Sequence, residues 1–167
     1  MLKTLIILFI PFFIIGQNNV CFEIEQNNSG IQALNLFPKY VNVLDCIHIY
    51  AEQSISDSKV LHAAAIAAEI LDNDEDGIID DENVKNELMS LYTIMPLFAY
   101  EGSNAEDVLF DSFDDLMDDN NFCAGAVLYN NEIDPSNPGF WGYDASVEEV
   151  LHTINACSHI EIYSDVF

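Results

Sequence analysis

The clearest hydrophobic pattern lies in residues 58–71, SKVLHAAAIAAEIL. At 100° per residue, Val60, Ala64, Ala67, Ala68 and Leu71 share one face, and Ile66 and Ile70 lie on another. Only a narrow polar stripe is left, holding His62 and Glu69. Its alanines favour helix and Ser56 or Ser58 suits the cap, so a buried helix with a thin polar seam is expected. Helical spacing resumes over residues 84–91 and runs toward the break at Pro96. It returns over 107–121, where Val108, Leu109, Phe113, Leu116 and Met117 line up. A last helix begins at Ser146, with Glu149 three residues on as a capping box and Val147, Val150, Leu151, Ile154 and Cys157 as its apolar face. Period-two alternation is confined to residues 20–25 and 40–50, which read as short strands. Residues 130–139 are turn-rich, and no internal repeat is present. The pattern predicts a small single domain of the α+β class, mainly helical, with short N-terminal strands.

The first residues change the setting. Lys3 precedes an apolar run over residues 5–15, and Gly16 offers a small residue at a cleavage point. This reads as a signal peptide over residues 1–16, with a mature domain over 17–167, because a membrane span needs about 20 apolar residues. Secretion gives Cys21, Cys46, Cys123 and Cys157 an oxidising environment, where an even count suggests two disulfides with three pairings open. Asn27 and Ser29 meet the N-glycosylation pattern. The balance of 29 acidic residues against four lysines and no arginine, net −25, favours cations. It excludes a phosphate-backbone partner, which needs several Lys or Arg contacts. Adaptation of the surface to high salt is a separate reading of the same acidity.

Residues 71–83, LDNDEDGIIDDEN, hold seven of those carboxylates. Calcium takes six to eight oxygens, and alternate aspartates around a sharp turn supply them. Asp72, Asp74 and Asp76 occupy positions 1, 3 and 5 of a twelve-residue frame. Gly77 takes the turn, Ile78 offers its backbone carbonyl, Ile79 tucks inward and Asp80 stands at position 9. This stretch resembles an EF-hand loop, and its D-x-D-x-D-G-x-x-D core is similar to those of dockerin modules and thrombospondin type 3 repeats. The departure is position 12, where Asn83 replaces the bidentate glutamate and Glu82 stands one residue early. A lone loop without that ligand predicts a structural site with a Kd on the order of 10⁻⁴–10⁻³ M. The expected cofactor is the calcium ion, with an extracellular protein as a further partner.

A second constellation follows the last helix. Glu148 and His152, at i and i+4, share a stripe with Asn155 and His159, and His62 from the alanine-rich helix is a candidate third ligand. Imidazole and carboxylate at this spacing are zinc chemistry, which makes a metal-dependent hydrolase the alternative reading. Against it, neither H-E-x-x-H nor its inverse is present, and His159 lies roughly 10 Å along the axis from His152. A solvated face, with Glu148 beside His152, accounts for the same residues. Convergence of His62, Glu148 and His152 on one point separates these readings.

KVLHAAAIAAEILDNDEDG followed by DASVEEVLH resembles a family of secreted proteins without known activity, over residues of about 45–85 and 140–155. The resemblance implies relatives that continue past residue 167, and it adds no catalytic residue.

Overall fold

The computed structural model describes residues 22–136 and 144–159. Its centre is a six-stranded mixed sheet, which overturns the mainly helical α+β expectation. Strands β1 (Glu25–Gln26), β2 (Lys39–Val43) and β3 (Ile47–Ala51) pair antiparallel in sequence order. β3 then pairs parallel with β4 (Tyr92–Phe98), whose other edge takes β5 (Phe122–Cys123) at one end and β6 (Leu128–Tyr129) at the other, both parallel. The β2–β3 turn places Leu44 and Asp45 in the left-handed region, at φ 52° and 59°, a twist that suits a tight hairpin.

Side chains alternate across this sheet and build two cores. Val41, Val43, Ile47, Ile49, Met95 and Leu97 face one way. Against them pack α1 (Asp57–Leu71), α2 (Glu82–Ser90) and α5 (Ser146–Ile154), the last continued by a wider turn over Asn155–His159. Tyr50, Ile94, Phe98 and Phe122 face the other way, under α3 (Asn104–Asp111), α4 (Phe113–Asn120) and a short turn at Gln32–Leu34. The architecture is a three-layer α/β sandwich. The connections β3→β4 and β4→β5 step the same way across the sheet but lie on opposite faces, so they have opposite hands. One is therefore left-handed, a rare arrangement for a parallel crossover.

The longest of the missed strands is β4. Every residue after Tyr92 is buried, because both faces are covered, and a doubly covered strand shows a continuous apolar run without alternation. Pro96 reads as a breaker in the sequence. It sits between the points where β5 and β6 join β4, where that side of the ladder is interrupted and a proline is tolerated. The helix expected over 107–121 is divided into α3 and α4 at Ser112, whose hydroxyl bonds the Val108 carbonyl one turn back at 2.9 Å.

α5 begins as expected but without the expected box. Ala145 is its N-cap and makes no side-chain cap bond. The Ser146 amide instead donates to Asp144 Oδ1 at 3.1 Å. A close approach fixes the other side of α5: a Cβ at Gly125 would meet Thr153 Cα at 2.6 Å and both Ala156 Cβ and the His152 carbonyl at 2.7 Å. Gly125→Ala therefore pushes α5 off the chain beneath it. A loss of about 1–3 kcal/mol, read from chemical denaturation, is expected; an unchanged midpoint would contradict this packing.

Candidate metal centre

The acidic loop leaves α1 at its C-cap, Asp72, and enters α2 through its N-cap, Asp81. Asp72 is buried, 5% exposed, and organises the turn: its Oδ2 accepts from the Gly77 amide at 2.7 Å and its Oδ1 from the Asp76 amide at 3.1 Å. Asp76 Oδ1 accepts from the Ile78 amide at 2.8 Å, and Asp80 Oδ2 from the Asn73 amide at 3.0 Å. Gly77 takes φ +86°, where a side chain is disfavoured, and Ile79 is anchored in the core. One carboxylate oxygen each of Asp72, Asp74 and Asp80 lies within 4.8 Å of the others. Their mutual charge shows at Asp74, whose carboxyl is raised above its ordinary value, foremost by Asp76 and further by Asp80 and Asp72.

The converging group is smaller than the sequence reading. Asp76 lies outside it, with one oxygen engaged by the Ile78 amide. Glu82 also lies outside it, as an exposed residue in the first turn of α2. The Ile78 side chain is 62% exposed. Asn83 donates its amide to the Asp81 cap at 2.9 Å. Three oxygen donors of full charge suit a hard divalent cation, and no sulfur or imidazole joins them.

The hydrolase constellation does not converge. His62 Nε2 lies 2.6 Å from Asp144 Oδ2, with both side chains almost wholly buried. Burial works against the Asp144 charge, but hydrogen bonds from Ser146 and His62 outweigh it and hold the carboxyl below its ordinary range. The ionised Asp144 therefore accepts, and His62 Nε2–H donates. Glu148 and His152 are exposed on α5, grouped with Glu149, whose Oε2 is 3.4 Å from His152 Nδ1. Glu149 was missed because the sequence assigns it to a capping box, although its i, i+3 spacing to His152 was readable. His48 is a half-buried, hydrogen-bonded histidine: it meets Tyr40 Oη at 2.8 Å and stacks on Tyr92, and burial lowers its pKa.

Cys123 and Cys157 form a disulfide, and Cys46 is a buried free thiol among the described residues. Burial pushes that thiol up to about 11. Cys21 and the signal peptide expected over residues 1–16 lie outside the described residues. The Asn27 side-chain amide donates to the Leu34 carbonyl at 2.7 Å, so the nitrogen a glycan would need is engaged. Among the described residues no helix is long and apolar enough to cross a membrane.

No family model, curated protein or solved structure matches this chain. The class that fold and site define is a mixed-sheet α/β protein carrying an organised acidic loop.

Proposed function

We propose that this chain is a secreted calcium-binding protein whose EF-hand-like loop is a low-affinity structural site, acting as a binding or structural module. The observation that carries the reading is the convergence of Asp72, Asp74 and Asp80 on a turn already shaped by Asp72 and Gly77. Calcium would supply a charge that offsets their repulsion. Its effect is linkage: an ion bound only by the native state stabilises it. The loop joins α1 to α2, so the stabilised element is the junction between two helices on one face of the sheet. Asp76 and Glu82 serve the turn and the helix start in this scheme, and the ion is held by the other three aspartates. The disulfide fits an oxidising compartment, and millimolar calcium there matches a weak site.

Asp74→Asn tests this while leaving in place the Asp72, Asp76 and Asp80 bonds that shape the loop. A carboxyl whose pKa is raised by folding opposes folding once ionised, so the variant leaves calcium-free stability unchanged or slightly higher. At 10 mM calcium the parent should gain about 1–3 kcal/mol, if Kd is on the order of 0.1–1 mM, and the variant little. Thermal melts with calcium, and with magnesium as control, read both. An equal calcium response in parent and variant would rule the loop out.

A further inference from the structure

Among the described residues Cys46 is the cysteine without a bridge, and it is wholly buried in the core between the sheet and α2. Its Sγ lies 3.9 Å from the Lys85 carbonyl of α2. Its amide donates to the Val43 carbonyl at 3.0 Å, which closes the turn between β2 and β3. The other side of β2 takes the N-terminal part of the chain. β1 pairs with β2 through Glu25 and Tyr40, and at antiparallel spacing Phe22 comes level with Val43. Phe22 and Ile24 pack on the core that contains Val41, Val43 and Cys46, while Glu23 and Glu25 are exposed. Cys21 directly precedes Phe22, so the chain leads it to the end of the hairpin that holds Cys46.

We propose that Cys21 and Cys46 form a second disulfide in the exported protein, stapling the N-terminal segment to the β2–β3 hairpin beside α2. Cys123 and Cys157 are joined to each other, which leaves these two as the remaining pair. Adjacent Cα atoms are about 3.8 Å apart and a bridge spans roughly 4.4–6.8 Å between Cα atoms, so a short reach beyond Phe22 suffices. Ladder pairing stops at Glu25, so strand alternation does not bind the residue before Phe22 to either face. The bond forms by exchange with an external protein disulfide of the oxidising compartment. The Cys21 thiolate attacks that disulfide and releases one carrier thiol. The Cys46 thiolate then attacks the Cys21 sulfur and releases the second. Two protons and two electrons leave the protein thiols, and the carrier's disulfide gains them. Burial pushes the Cys46 thiol up to about 11, so the exchange belongs to folding, before the core closes over it. The inference rests on the secreted reading and not on calcium binding.

The test is a bridge map of the full chain, expressed with its own leader in a secretory host and recovered from the medium. Free thiols are alkylated with iodoacetamide in denaturant, and the chain is cut by trypsin without reduction. With four lysines and no arginine, the cuts fall only after Lys3, Lys39, Lys59 and Lys85. Lys39 separates Cys21 from Cys46, whereas Cys123 and Cys157 stay together in 86–167. Mass spectrometry should find peptide 17–39 joined to 40–59, parted by a reductant, with no alkylated cysteine. In Cys21→Ser, alkylation should appear at Cys46, where the parent shows none. Alkylated Cys21 and Cys46 in the parent, with Cys123–Cys157 intact, overturn the bridge and leave the secreted reading standing. Peptide 17–39 joined to 86–167, or to a second copy of itself, overturns the bridge as well. A chain retained in the cell with all its thiols alkylated overturns both.

Discussion

Replacing Cys123 and Cys157 together by serine should lower the unfolding free energy by about 4 kcal/mol. The bridge spans 34 residues, and closing a loop of that length in the unfolded chain accounts for a change of this size in the chain-entropy model. It also ties β5, on the far edge of β4, to the turn after α5, so it pins the layer of α5 to the sheet. Domains hold only about 5–15 kcal/mol in total, which makes this a large fraction. At roughly 2–4 °C per kcal/mol for a chain of this size, a fall in melting temperature of about 8–16 °C is expected. Calorimetry of the double variant measures it. A loss under ~1 kcal/mol would mean that the bridge constrains neither state.

Breaking the His62–Asp144 pair should cost a comparable amount, about 3–5 kcal/mol for removal of one partner of a buried pair. His62→Ala leaves Asp144 charged and short of a donor beneath α1. Asp144→Asn removes the charge but keeps the volume, and should cost less. The pH dependence gives a signature. Asp144 is held below its ordinary range, so its contribution is present above the unfolded-state carboxylate value near pH 4 and is lost as pH falls through the lower folded-state value. The stability gap between parent and Asp144→Asn should therefore narrow in strong acid. Denaturant titrations at pH 7 and in acid measure it. Zinc that stabilises the parent, and not His62→Ala, would contradict the structural pairing and restore the hydrolase reading.

Local features were legible in the sequence, and those that depend on distant segments were not. The alanine-rich α1, the period-two β2 and β3, and the start of α5 all carry their signal within a dozen residues. Gly77 and the spaced aspartates did the same for the loop. β4 carried none, because burial on both sides removes alternation, and Pro96 argued against it. The partner of His62 lies 82 residues away, past a turn-rich loop, and no spacing rule reaches that far. Cysteine parity left the pairing open for a related reason: an even count sets how many bridges are available, not that Cys123 meets Cys157 across 34 residues. The grouping of Asp72, Asp74 and Asp80 was also hidden. The frame supplies candidate oxygens, but the fold of the loop decides which of them lie within reach of one another.

The opposite hands of the two parallel crossovers bear on ancestry. Duplicating one strand–helix–strand unit yields two copies of the same hand, because handedness is inherited with the unit. The layers above and below β4 are therefore not two copies of one such unit, which accords with a chain in which no stretch repeats another.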